Sequence, residues 1–196
     1  MRNLLQVSRF LPFFVLMVFP PLVFAHTGDG PHNGLSHGFF HPLTGLDHIL
    51  AMVAVGLWAA QTGGRMIWSL PLIFVLVMGL GGLLGVITLP TVLAEYGIVF
   101  SLLILGLIIL RGGYLSYAVS IALIGFFALC HGYAHGSEMP PSVSIFPYAA
   151  GFMLATTLLH LCGIGIALLL KALCGIKWLR LSGVVIAFYG GFLLVS

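Results

Sequence analysis

The sequence has 196 residues, of which 61% are hydrophobic and 6% are charged, and its formal net charge is +3 at neutral pH. So few polar residues cannot cover the surface of a soluble domain, so the composition predicts an integral membrane protein. The basic residues lie singly in short connections and form no patch, which argues against nucleic acid as a partner. At about 20 residues per membrane-spanning helix, the length allows six or seven spans in one domain.

Residues 1–25 have the features of a secretory signal peptide. Arg2 and Arg9 come before an apolar run, and Val23-Phe24-Ala25 is a small-residue cleavage site. The run is short and contains three prolines, which favours a removed leader over a retained helix. Cleavage after Ala25 would make His26 the mature N-terminus.

Residues 26–41, HTGDGPHNGLSHGFFH, are rich in Gly and His and have no apolar period. The segment is therefore predicted to be an external loop. Its His26, His32 and His37 are candidate secondary metal contacts. They could bind an ion together with the free amine of His26, or act as a loose tail that gathers ions.

Residues 42–196 predict a six-helix transmembrane domain, so the fold class is an all-α, polytopic membrane helix bundle. Short connections make neighbouring helices antiparallel. Glycines four apart, such as Gly81 and Gly85, indicate close helix packing. The predicted spans are Leu43–Gln61, Met66–Leu89, Val92–Leu110, Tyr114–Tyr133, Phe146–Leu170 and Leu179–Val195.

The basic residues after the signal peptide all fall in alternate connections, those after the first, third and fifth spans. The positive-inside rule places these connections in the cytoplasm. The acidic residues and most histidines then face outward, and so does the mature N-terminus. The basic residues concerned are Arg65, Arg111, Lys171, Lys177 and Arg180.

Several ionisable side chains lie at the outer ends of two predicted spans. His131 and His135 are four residues apart on one helix face, and Glu138 follows them. Asp47 and His48 lie near the start of the first span. A titratable group at membrane depth needs a partner, an ion or water, so we expect a metal site with nitrogen and oxygen ligands. Such ligands suit Ni, Co, Zn or Cu.

Asp47 has two interpretations that can both hold. Thr44-Gly45-Leu46-Asp47 fits a capping box, in which the carboxylate binds free amides of the helix N-terminus. A carboxylate beside a histidine also orients the imidazole of a metal ligand. His41, which precedes Pro42, is by itself typical of a loop histidine.

His160 lies about 21 Å into the fifth span at 1.5 Å per residue. It could hydrogen-bond to Thr156 or Thr157, or it could be a second binding station on a path inward. Cys130, Cys162 and Cys174 do not indicate a disulfide framework and are expected to pack as small hydrophobic residues.

Three motifs resemble the HupE/UreJ family of hydrogenase and urease accessory membrane proteins: HPLTGLDHILAMVAVGLWAA, FFALCHGYAHGSE and GFMLATTLLHLCG. The resemblance implies a permease for nickel, or sometimes cobalt, that supplies nickel enzymes. It also implies a functional link to the maturation proteins of hydrogenase or urease. The positions that match its polar motifs are His41, Asp47, His48, His131, His135 and Glu138.

The resulting hypothesis is a metal-ion permease of the bacterial cytoplasmic membrane, with Ni²⁺ or Co²⁺ as cargo and no permanent cofactor. It is not expected to be an enzyme. Two alternatives remain open. One is an intramembrane metal-dependent hydrolase with Glu138 or Asp47 as base, although no H-E-x-x-H or G-x-S-x-G motif occurs. The other is a metal sensor or metallochaperone at the outer face.

Overall fold

The computed structural model describes residues 34–87, 91–112 and 114–196. The regular structure of these residues is helical, which confirms the all-α prediction. The predicted signal peptide, His26 and His32 lie outside the described residues. The helices are α1 (Gly34–Phe40), a 3-10 turn (His41–Leu43), α2 (Leu46–Thr62), α3 (Met66–Val86), α4 (Val92–Arg111), α5 (Tyr117–Ser137), α6 (Ile145–Leu173) and α7 (Ile176–Val195).

The helices α3 to α7 are each long and apolar enough to cross a membrane. A sixth span is present if α1, the 3-10 turn and α2 count as one broken span. Large apolar side chains such as Leu72, Leu76 and Leu80 on α3 are exposed on the outside of the bundle, where lipid would cover them. The predicted multi-pass membrane helix bundle is confirmed.

The start of the first span differs from the prediction, because Gly34–Phe40 forms a helix where a loop was expected. This helix and the 3-10 turn are bent by 82° from α2. Helix α1 packs against α6 and buries Gly34 and Gly38. A contact with a helix that is distant in sequence produces no apolar period in the local sequence. The sequence pattern therefore did not predict this helix.

Helix α2 is the centre of the bundle. From Ala51 to Gln61 every residue except Val53 is buried, and α2 contacts α3, α4, α6 and α7. A helix buried on all sides is surrounded by protein rather than lipid. Any polar group on α2 therefore lies in the protein interior, where side chains of the other helices can reach it.

Glycines allow α3 and α5 to approach closely. A Cβ atom added at Gly132 or Gly136 of α5 would collide with the backbone of Met78 or Gly82 on α3. A Cβ added at Gly85 of α3 would likewise collide with the backbone of α5. The packing role predicted for the small residues of α3 is confirmed, and this contact positions the histidines of α5.

The basic connections meet at one end of the bundle. The Arg65 guanidinium lies 3.7 Å from the ring centroid of Tyr117. The Lys171 ammonium donates hydrogen bonds to the carbonyls of Ala60 and Gln61 at the end of α2. The start of α2 and the end of α5, which carry the candidate metal ligands, lie at the opposite end.

We predict that Gly132→Val destabilises the fold, whereas Gly125→Val on the same helix does not. The two changes have the same intrinsic effect on a helix, but a Cβ at Gly125 has no described atom within 4 Å. Overpacking at Gly132 should cost about 1–3 kcal/mol. Thermal unfolding of both variants in detergent measures the difference, and equal melting temperatures would contradict the packing role of Gly132.

Candidate metal site

The structure brings the six predicted site residues into one continuous group, here called the histidine cluster: His41, Asp47, His48, His131, His135 and Glu138. The His135 ring is at its centre, with its centroid 5.0 Å from that of His41 and 4.8 Å from that of His48. His48 also contacts His131, with centroids 5.5 Å apart. His41 Nε2 lies 2.8 Å from Glu138 Oε2.

Three separate elements supply these side chains. The 3-10 turn supplies His41, and Thr44 Oγ1 stabilises this turn by donating a 2.7 Å hydrogen bond to the His41 carbonyl. The first turn of α2 supplies Asp47 and His48. The last two turns of α5 supply His131 and His135, and Glu138 caps that helix. His41, which looked like a loop histidine by itself, therefore belongs to the group.

Asp47 orients His48 in this structure. Asp47 Oδ1 lies 3.1 Å from His48 Nδ1, which can donate a proton to it. The N-cap of α2 is Gly45, with no hydrogen bond from a side chain, and the Thr44 hydroxyl is engaged elsewhere. Thr44 is thus not the N-cap of a capping box, but the Asp47 carboxylate does accept a hydrogen bond from the backbone amide of His48 in the first turn. The interpretation that Asp47 also orients an imidazole agrees with the geometry.

The buried histidines of α5 have nitrogens without hydrogen-bond partners. His131 Nδ1 lies 2.8 Å from the Phe127 carbonyl and donates to it, while its Nε2 is buried and unpaired among the described residues. His135 is 1% exposed, and neither of its nitrogens has a partner there. Its ring stacks on Phe152, with centroids 5.3 Å apart.

These unpaired nitrogens are the chemically informative feature of the cluster. A buried polar atom without a partner is destabilising and rare in proteins. In His48 and His131, Nδ1 faces an oxygen, so Nε2 keeps a free lone pair. An imidazole held by one nitrogen with the other bare has the form of a histidine metal ligand.

His41, His135 and Glu138 each offer one ligand atom, and these atoms lie within 4.8 Å of one another. Two ligands bonded at about 2.1 Å to one ion are at most about 4.2 Å apart. Small side-chain rotations would therefore let the three residues bind an ion. His41 and Glu138 are partly exposed, so this group is the part of the cluster open to solvent.

Glu138 lies just outside the spanning part of α5, and its hydrogen bond with His41 lowers the pKa of its carboxyl below the usual value. Partial burial of the side chain opposes this effect. The carboxylate therefore keeps its charge to a lower pH than a free glutamate would, and it remains available to a cation.

His160 of α6 is fully buried. It does not form the hydrogen bond to Thr156 or Thr157 that the sequence suggested. Its Nδ1 lies 2.8 Å from the Met52 carbonyl on α2. Thr156 donates instead to Met78 Sδ, and Thr157 donates to the Met153 carbonyl. The threonine prediction is wrong because α2 approaches α6 closely enough to offer a better acceptor.

Sequence reasoning missed three aromatic residues around the cluster. Tyr148 of α6 has its ring centroid 5.9 Å from that of His41, and its hydroxyl is buried and unpaired among the described residues. Phe152 stacks on His135, and Phe74 of α3 contacts His131. No sequence signal separates them from the many aromatic residues that pack in spanning helices.

His37, the remaining candidate among the described residues, is not part of the cluster. His37 is exposed on α1, and no described hydrogen bond or ring contact joins it to the cluster. The three cysteines are free thiols.

Comparison with known proteins agrees with the three sequence motifs. The family model described as HupE / UreJ protein matches residues 14–193. The chain belongs to the HupE/UreJ family. A curated member, Protein HupE from Rhizobium leguminosarum bv. viciae, is 38% identical over 195 residues, which cover 98% of this chain and 100% of that relative. No solved structure matches the chain.

We predict that His41→Ala raises the pKa of Glu138. The wild-type pKa is lowered first of all by the hydrogen bond from His41, so its loss should shift the midpoint of protonation to higher pH. Infrared titration of the carboxyl band can resolve this, because the sequence contains only four acidic residues. Glu138→Gln identifies the band, and an unchanged midpoint in His41→Ala would contradict the proposed cause.

Proposed function

We propose that this protein is a permease that imports a divalent transition-metal ion, Ni²⁺ or Co²⁺, across the bacterial cytoplasmic membrane. The observation that carries the proposal is the set of unpaired imidazole nitrogens in the histidine cluster. The ion is cargo, and the cluster is where it would be captured and selected.

The chemistry of the cluster supports this class of ion. Imidazole nitrogens with one or two carboxylates suit Ni, Co, Zn and Cu, whereas Mg and Ca prefer oxygen ligands. The six side chains extend from partly exposed His41 and Glu138 to fully buried His131. An ion can therefore exchange its water for protein ligands stepwise as it moves inward, which avoids the cost of a bare charge in the membrane.

The arrangement of charge supports import rather than export. Basic residues lie together at the end opposite the cluster, and the positive-inside rule makes that end cytoplasmic. The cluster and the mature N-terminus would then face outward. A divalent cation that moves into a negative interior gains about 4.6 kcal/mol per 100 mV, twice the value for one charge. The membrane potential alone can thus drive uptake.

Family membership points to the choice of metal. The resemblance to HupE/UreJ proteins implies that the ion is nickel, or sometimes cobalt, and that it is supplied to hydrogenase or urease. The partners of this protein would then be the maturation proteins of a nickel enzyme, and the protein itself would not be an enzyme.

We predict that His48→Ala and His135→Ala lower the uptake of radioactive Ni²⁺ into proteoliposomes by at least about tenfold, because each removes a ligand. His37→Ala is the matched control and should transport as the wild type does. The assay uses purified protein, a negative-inside potential and external Ni²⁺. Folding is checked by elution from a sizing column.

Wild-type uptake in both cluster variants would overturn the site assignment. The same assay separates the alternatives, since a sensor or metallochaperone binds Ni²⁺ without moving it across the bilayer. A hydrolase would turn over a lipid or peptide substrate with a metal that is not transported. Ni²⁺ accumulation by wild type alone, with no other protein present, is the result expected of a permease.

We predict opposite labelling of the two ends of the bundle in intact cells. Cys174 is an exposed natural thiol beside the basic connection, so a membrane-impermeant maleimide should not reach it. A cysteine introduced by Ser142→Cys, in the connection between α5 and α6, should be labelled. Both thiols should react after the cells are opened, and labelling of Cys174 in intact wild-type cells would contradict the orientation.

A further inference from the structure

His160 lies on α6, outside the cluster, and has the same bonding pattern as His48 and His131. Its side chain is 0% exposed, Nδ1 is held by the Met52 carbonyl, and Nε2 is buried and unpaired among the described residues. Met52 is four residues, or about 6 Å, along α2 beyond His48. The residue that holds the His160 ring thus lies about one helical turn deeper along α2 than His48.

Phe74 of α3 contacts both His160 and a histidine of the cluster. Its ring centroid is 5.5 Å from that of His131 and 5.0 Å from that of His160, with edge-on geometry in both contacts. Phe74 is 0% exposed. The two histidines are therefore close to each other, and the Phe74 ring contacts both.

We propose that His160 is a second, inner binding station for the transported ion, and that the Phe74 ring is the gate between it and the histidine cluster. This proposal rests on the proposed transport function. An apolar ring in a narrow path excludes water and hydrated ions, as hydrophobic constrictions do in channels. An ion that has exchanged its water for imidazole ligands can pass from His131 to His160 when the ring turns aside.

The surrounding packing holds the inner station in place. A Cβ atom added at Gly56 of α2 would collide with the His160 carbonyl, and one added at Gly163 of α6 would collide with the Val53 carbonyl. The two helices therefore touch at their backbones beside His160. This contact lets His160 reach the Met52 carbonyl, which directs Nε2 away from α2 and leaves it free to bind.

The test of the station uses His160→Asn. The asparagine amide can still donate a hydrogen bond to the Met52 carbonyl, but it lacks the outer ring nitrogen. We expect purified His160→Asn to bind Ni²⁺ at the cluster within about twofold of wild type, and to transport Ni²⁺ into proteoliposomes at least about tenfold more slowly.

Wild-type uptake by His160→Asn would show that His160 only ties the two helices together, and would overturn the inner station. Loss of equilibrium Ni²⁺ binding would also overturn it, since His160 would then belong to the outer site. Failure of the proposed function gives a different result, namely no accumulation of Ni²⁺ in proteoliposomes that contain the wild-type protein.

The test of the gate compares Phe74→Ala, Phe74→Leu and Phe74→Trp. We expect the smaller side chains to admit Mn²⁺, which binds imidazole weakly, several-fold faster than wild type, and Trp to slow Ni²⁺ uptake. Leu105→Ala is the control for a cavity as such, because Leu105 is as fully buried as Phe74 but lies on a different helix, α4. The gate would be overturned if Phe74→Leu and Phe74→Trp transported both ions at wild-type rates. It would also be overturned if Leu105→Ala admitted Mn²⁺ as fast as the smaller Phe74 variants do.

Discussion

Each buried imidazole in a membrane protein must satisfy two nitrogens without help from water, and the arrangement of this bundle depends on that constraint. His48, His131 and His160 satisfy it in the same way at one nitrogen: Nδ1 faces a carboxylate or a backbone carbonyl. The second nitrogen is left bare in all three. A protein that needed these residues only for packing would be more stable with apolar side chains, which have no polar atom to bury. The bare nitrogens therefore support the proposal that an ion binds there in transit.

Helix α2 connects the parts of the proposed path. Its first turn carries Asp47 and His48, its Met52 carbonyl holds His160, and its last carbonyls accept hydrogen bonds from Lys171. The helix is central and buried, so a small shift or rotation of α2 would alter the outer cluster and the inner histidine together.

Glycine contacts set the distances on which this chemistry depends. The α3–α5 contact places Phe74 against His131, and the α2–α6 contact places His160 against Met52. Without a hydrophobic driving force between helices in lipid, close approach of small residues is what holds such pairs together. A larger residue at either contact would collide with the facing backbone and displace the histidine beside it.

The sequence by itself determined the class of protein, the spanning helices and the candidate metal ligands. Hydropathy predicts spans because the bilayer leaves the backbone few alternatives to a helix, and polar residues in apolar runs stand out for the same reason. The motifs around His41, His48 and His131 also identified the family. Only the tertiary structure decided which groups meet. The helix at Gly34–Phe40, the bond from His160 to the Met52 carbonyl and the positions of Phe74 and Tyr148 all depend on contacts between helices distant in sequence. Side-chain periodicity reports how one helix faces its surroundings, but it contains no information on which neighbour lies there.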